Sequence, residues 1–342
     1  MRIRLSAAVS GAALLLSFGP AAGSPAAAAR TAARAHARYV VVTGDDKYLI
    51  YAEAVRHTNL DPVGLPTAAN LYALGRTGGP IALGTVGSRL RVISLSRSSL
   101  VVVNKTATGH RVRWWVLGSA QHGDISTNED VVGATPDGWI TKDGGFADGT
   151  HVVSRSHSGD LVDYGNPLGH RVGYGVVVGP TGFVAYADNF VNDNGEVTYT
   201  SWHNASRHRT LLAPGGKNVR CDSVSSGYAG CVIGNGASRA VERFALSGGS
   251  RTATNGKCAD RLTVWDTELA WNVTTTRAGC PTGHATAMTS TGSTRSSKQP
   301  FNSLGVTVAW GRLVTAAQGQ GELVTLTAVR AKPHPLSRAD VS

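Results

Sequence analysis

The sequence predicts an all-β chain built from a repeated four-stranded antiparallel unit, and three observations predict it. The composition is rich in Val, Thr, Ser and Gly, with 42 glycines and only 16% charged residues, and it lacks long Leu/Glu/Lys/Ala-rich helical windows. A phrase of turn, aromatic residue and alternating strand recurs as "PDGWITKD" (Pro136–Asp143), "PTGFVAYAD" (Pro180–Asp188) and "SSGYAGCVI" (Ser225–Ile233). The spacing of strands is regular. Strand-opening residues Tyr48, Leu100, Trp139, Phe183, Tyr228, Leu269 and Leu313 follow one another at intervals of 52, 39, 44, 45, 41 and 44 residues. A second marker in the next strand (Leu71, Val112, Val152, Val197, Val241, Ala285, Leu323) steps by 41, 40, 45, 44, 44 and 38. Two markers that keep one period over seven copies define a repeat.

That period holds four short strands and their turns. A single four-stranded sheet with two apolar faces cannot bury both alone, whereas stacking between two neighbours buries them and ring closure removes the ends. The expected fold is therefore a seven-bladed β-propeller of four-stranded antiparallel blades. Over about Tyr39–Val329 the chain resembles the β-propeller superfamily in periodicity and strand pattern. It departs from the WD-repeat signature, since no Gly-His…Trp-Asp pair recurs, and "TPDGW" (Thr135–Trp139) echoes a sialidase-type Asp box only once. The resemblance is to a fold, and a fold alone carries no function.

Read in order, residues 1–29 have the three-part design of a secretory signal peptide: basic Arg2 and Arg4, a short apolar run, then small residues, with cleavage expected between Gly23 and Ala29. The run is too short to span a membrane comfortably, which takes about 20 residues. Residues 30–38 form a basic segment, 39–329 the propeller domain and 330–342 a loose tail. Gly138, Gly182 and Gly227 are expected to let the chain turn sharply, and Trp139, Phe183 and Tyr228 to wedge between blades. Trp114 and Trp115 should face opposite sides of one strand, both buried. The segment "RYVVVT" (Arg38–Thr43) is a candidate outer strand for the last blade, whose fourth strand is hard to find after Val329. Cys221 and Cys231 lie nearly equidistant from a hairpin turn and are expected to pair. Cys258 and Cys280 lie in segments expected on one face of a blade. Four cysteines allow three pairings, and 221–231 with 258–280 is the one expected in an oxidising compartment. A metal site is not expected, because no Cys-x-x-Cys or His-rich partner motif accompanies them.

Chemistry is sparsely signalled. The sequence holds no Gly-x-Ser-x-Gly elbow, His-Glu-x-x-His, phosphate loop or dinucleotide fingerprint, so no catalytic residue and no cofactor is expected. "VNDNGE" (Val191–Glu196) has Phe190 where a calcium loop needs its first acidic ligand, and it reads as a hairpin turn. The net charge is +11, or +9 once a leader carrying Arg2 and Arg4 is removed. Such a charge favours polyanions. The basic run "HNASRHRTLLAPGGKNVR" (His203–Arg220) supplies the candidate contact residues Arg207, Arg209, Lys217 and Arg220. The expected function is a secreted, monomeric, non-catalytic module that binds an anionic cell-wall polymer or an extracellular protein. No nucleic-acid motif or mature transmembrane segment is read. The alternative is a carbohydrate-active or lactonase-type enzyme using His57, Asp61, Asp143, Asp148, Asp188 and Asp193 on the face that carries the loops between second and third strands. Arg277 is expected in the same loops and His122, Asp124, Asp130, His170 and Arg171 near them, and a ring of carboxylates and imidazoles would serve acid–base chemistry.

Overall fold

A computed structural model describes residues 2–3, 38–54, 69–87, 89–143, 151–168, 174–187, 195–202, 207–213, 218–234, 239–248, 251–256, 259–265, 268–273, 285–289, 294–301, 307–310, 312–316 and 323–326. These residues contain strands and turns. The first sheet is β2 (Arg38–Gly44), β3 (Tyr48–Ala54), β4 (Ala69–Gly75) and β5 (Ile81–Val86). The second is β6 (Leu90–Ser96), β7 (Ser99–Lys105), β8 (His110–Val116) and β9 (His122–Thr127). The third is β10 (Asp130–Thr135), β11 (Gly138–Asp143), β12 (His151–Ser156) and β13 (Leu161–Asp163). The fourth is β14 (Tyr174–Val178), β15 (Gly182–Ala187), β16 (Gly195–Ser201) and β17 (Arg207–Ala213). The fifth is β18 (Val219–Val224), β19 (Tyr228–Ile233), β20 (Ala240–Ala245) and β21 (Arg251–Asn255). The sixth is β22 (Ala259–Trp265), β23 (Glu268–Val273), β24 (Ala285–Thr289) and β25 (Thr294–Phe301). The last sheet is β26 (Thr307–Ala309), β27 (Arg312–Ala316), β28 (Leu323–Leu326) and β1 (Arg2–Ile3).

All pairings are antiparallel, and the first strands contact one another in succession, β2 on β6, then β10, β14, β18, β22 and β26, with β26 also against β2. This is a β-propeller. Its apolar cores lie between sheets. In β7 the run "LVVV" alternates. Leu100 and Val102 face a cluster with Ile50, Ala52 and Leu71 of the first sheet, while Val101 and Val103 face Val131, Ala134 and Trp139 of the third. A strand buried on both faces needs such an unbroken apolar run. Trp115 and Trp114 follow the same alternation, one on each interface, and both stay half-buried. Each fully buried large side chain, Phe183 for instance, stabilises the stack by roughly 1.5–3 kcal/mol.

The first hairpin of every sheet closes over two residues, because Asp45 pairs with Tyr48, Ser96 with Ser99, Thr135 with Gly138, Gly179 with Gly182, Ser225 with Tyr228, Trp265 with Glu268 and Ala309 with Arg312. This register corrects the sequence reading by one residue. Tyr228 stands where Gly138 and Gly182 stand, and Ala229 is the counterpart of Trp139 and Phe183. A one-residue offset changes the face. Trp139 and Phe183 accordingly pack toward the preceding sheet, Tyr228 toward the following one. The reason for the glycines differs too. None of Gly138, Gly182 and Gly227 has a positive φ. A Cβ on Gly138 or Gly182 would run into the backbone carbonyl of Arg155 or Thr200 in the adjacent strand, while Gly227 faces open space.

Arg38–Thr43 lies in β2, the innermost strand of the first sheet, paired along its length with β3. The outer strand of the last sheet is β1 instead, paired through Arg2 with Val324 and Ile3 with Leu323.

Candidate functional site

The strand directions sort every connection onto one of two ends. The two-residue hairpins lie at one end, the turn end. The connections between second and third strands and between sheets leave from the other, the loop end. Innermost strands carry a β-bulge at Val41/Thr43, Leu90/Val92, Val131/Gly133, Cys221/Ser223 and Ala259/Arg261. A bulge takes one residue out of the ladder and re-aims its side chain. The unpaired edge of an innermost strand also presents backbone donors to the neighbouring sheet. Ser94 Oγ accepts from the Ala134 N–H at 2.9 Å, Asp222 Oδ2 from Leu262 at 3.2 Å and Ser223 Oγ from Val264 at 3.1 Å.

The turn end is tied together through Asp45. Its carboxylate accepts from the N–H groups of Lys47 and Tyr48, both at 2.7 Å, and from Ser98 of the second sheet at 3.1 Å. The Asp45 carbonyl accepts from the Trp310 N–H of the last sheet at 2.9 Å, and Trp310 Nε1 donates to the Lys47 carbonyl at 2.9 Å. Arg97, Ser98 and Trp310 have φ of 45°, 75° and 55°, a left-handed conformation that favours glycine. Two of the three turn residues involved are thus held by the same aspartate turn.

Ser99 Oγ lies 3.3 Å from His157 Nε2, the His157 N–H donates to the Asp137 carbonyl at 2.8 Å, and the imidazole stacks on Trp114 with centroids 4.1 Å apart. Burial pushes the His157 pKa down, against a smaller upward pull from Asp137. The residue types match a nucleophile and its base, but Ser99 is 0% exposed and nothing can reach it. The contact joins the second and third sheets. Sequence reasoning missed His157, which sits in an unremarkable "SHSGD" turn.

The expected site residues separate as follows. Asp143 closes β11 at the loop end, in register with His151, whose Nδ1 is 3.3 Å from Asp163 Oδ2. Asp130 opens β10 at the same end. His57, Asp61, Asp148, Asp188, Asp193, His170, Arg171 and Arg277 lie outside the described residues, as do Lys217, Cys258 and Cys280. His122 opens β9 at the turn end, away from the others, because an outer strand that ends at the loop end must start at the turn end. Asp124 sits in mid-strand, where both carboxylate oxygens accept from Arg111 Nε at 2.9 Å; that hydrogen bond holds its carboxyl below the usual range. Arg207 and Arg209 lie on β17, an outer strand running from the turn end. Arg220 lies on β18, the innermost strand of the next sheet, and donates through Nε and Nη2 to the Asp222 carboxylate at 2.7 and 2.9 Å. The basic run therefore spans two sheets.

Cys221 and Cys231 are register partners joined by a disulfide, with Cα atoms 3.9 Å apart, both buried at the interface of the fourth and fifth sheets. A disulfide is consistent with an extracellular protein. Among the described residues no three His, Cys, Asp or Glu side chains are grouped to hold a metal ion. Glu129 pairs with Arg155 across the second-to-third sheet junction, and that guanidinium holds its carboxyl below the usual range.

No protein-family model matches the chain, and no curated protein matches it in sequence. Solved structures match in fold. The β-propeller domain of the Trilobed protease from Pyrococcus furiosus, described as having an open velcro topology, aligns with a TM-score of 0.57 at 7% identity over 85% of this chain and 95% of that one. Acylaminoacyl peptidase from Pyrococcus horikoshii aligns at 0.55 and 8% over 85% and 51%, and a prolyl endopeptidase at 0.54 and 11% over 89% and 49%. This chain thus spans about half the length of the two peptidases. At these identities the likeness is one of fold.

Proposed function

We propose that the chain is a secreted, non-catalytic binding module, a closed seven-bladed propeller that holds an anionic polymer at the cell exterior. The observation that carries this reading is the charge and how it is spent. The chain has a net charge of +11, or +9 without Arg2 and Arg4 of the leader, and the carboxylates of Asp124, Glu129 and Asp222 are each already held by an arginine. The cationic surplus stays on the surface, where it raises the local concentration of a polyanion. The leader-like N-terminus and the buried disulfide support an extracellular setting, and removal of the leader takes β1 from the edge of the last sheet and leaves β26, β27 and β28. The contact of β26 with β2 supports closure of the ring. Arg207 and Arg209 on β17 add to the field, whereas Arg220 is paired with Asp222 and Lys217 lies outside the described residues.

The test is retention of the purified protein on bacterial cell walls across a salt series. Retention should be strong at low salt and fall as the screening length shortens to about 8 Å at physiological ionic strength. Retention that ignores salt, or no retention at any salt, removes the reading. A second reading is favoured by one feature, the register of Asp143 with His151 and the contact of His151 with Asp163 at the loop end. A carboxylate beside an imidazole suits hydrolytic chemistry, and turnover of a polysaccharide or lactone by the purified protein, lost in His151→Ala, would establish it.

A further inference from the structure

The cationic surplus is unevenly distributed. Residues 88–129, which make the second sheet, carry Arg89, Arg91, Arg97, Lys105, Arg111 and Arg113 against only Asp124 and Glu129. Three of these cations share the loop end. Arg89 immediately precedes the innermost strand β6, and Lys105 closes β7 beside it, with the Lys105 N–H donating to the Arg89 carbonyl at 2.7 Å. Leu90, between the two arginines, is 1% exposed and packs into the core, while Arg89 and Arg91 are both exposed. Arg91 is the extra residue of the Leu90/Val92 bulge, the device that re-aims a side chain out of the ladder.

Among the described residues none offers the side chains of Arg89, Arg91 or Lys105 an ion pair, whereas Arg111, Arg155 and Arg220 each face a carboxylate. Like charges on adjacent strands are destabilising, and among the described residues no carboxylate is ion-paired with them. We propose that Arg89, Arg91 and Lys105 form an oxyanion-binding site for a phosphodiester polymer without bases, a polyol-phosphate chain, and that this is the main contact of the polymer-binding module proposed above, on which it rests. Two planar guanidinium forks match phosphate oxygens bidentately, and the ammonium adds a mobile point charge. Bases would need an aromatic platform. The tryptophans of this sheet are half-buried in the two inter-sheet cores, with Trp115 in register with Leu100 and His122 toward the turn end.

The experiment compares three full-length proteins on immobilised poly(glycerol phosphate), polygalacturonate and single-stranded oligo(dT). One is the natural chain. The second carries Arg89→Gln, Arg91→Gln and Lys105→Gln. The third carries Lys47→Gln, Arg76→Gln and Arg97→Gln, which removes the same charge from exposed residues at the turn end. The expected result is that the second variant binds poly(glycerol phosphate) at least about tenfold more weakly, with a salt slope flatter by about two to three, while the third stays within about threefold of the natural chain. Circular dichroism melting should be the same for all three. Equal losses in both variants would overturn the site, as would tighter binding of the natural chain to polygalacturonate or oligo(dT). If the natural chain is retained on none of the three polymers or on cell walls, it is the functional reading that fails.

Discussion

His157 shows how much one side chain is asked to do at a junction. It stacks on Trp114, meets Ser99 and is held with a depressed pKa, chiefly by burial. Its folded pKa lies below the ordinary value of 6.5, so on acidification the unfolded chain takes up the proton first. The contribution of His157 is then fully present above about pH 6.5 and is lost as pH falls from there through the folded pKa. Urea midpoints measured from pH 8 to 5 should fall more steeply for the natural chain than for His157→Gln; parallel profiles would show that His157 does not titrate with folding. Trp139 offers a second residue-scale test. It is 3% exposed and its Nε1 finds no acceptor among the described residues. Trp139→Phe deletes an unmet donor along with some packing and should cost less than about 1.5 kcal/mol, whereas Trp139→Ala should cost about 3–5 kcal/mol. Equal costs by chemical denaturation would mean that the indole N–H is satisfied.

The hairpin is the element that organises the fold, and Asp45 is its most heavily used residue. Its carboxylate serves three N–H groups in two sheets and its carbonyl serves a third sheet. Asp45→Ala leaves those donors without the carboxylate and should cost about 1–3 kcal/mol. Asp46→Ala, exposed next door, should stay within about 0.5 kcal/mol. The two urea curves decide it: coincident midpoints would show that the turn holds without the carboxylate. The hairpin of β18 and β19 carries the Cys221–Cys231 bridge. Replacing both residues with Ser should cost about 2–3 kcal/mol. Alkylation of the native protein without reductant should label neither cysteine, and label at either one would show the bridge open.

At the scale of the molecule the cores lie between sheets, so each sheet is stable only between two neighbours. A closed ring makes this true of the last sheet as well as the middle ones. Truncation after Phe301 removes β26, β27 and β28 and with them the contact on β2 and the Trp310 bonds to the Asp45 turn. The truncated chain should melt well below the full one or fail to stay soluble, since it uncovers the free faces of the first and sixth sheets. An unchanged melting temperature would show that the propeller is not closed through the last sheet.

The all-β class, the repeat, the hairpins and the Cys221–Cys231 pair were legible in the sequence because each is local: a period of two along a strand, a short turn, two residues equidistant from it. What the tertiary structure decided depends on register and on which strands become neighbours. Register moved Tyr228 to the face opposite that of Trp139 and Phe183, and explained Gly138 and Gly182 by a neighbouring strand rather than by their own φ. It placed Arg220 against Asp222 and spread the basic run over two sheets. It also brought Arg89 beside Lys105, sixteen positions apart in the chain, as cations at the loop end that form no ion pair among the described residues. The alternation of a strand can be read from a single segment, but a contact between two strands exists only once bulges and turns have set how one slides against the other.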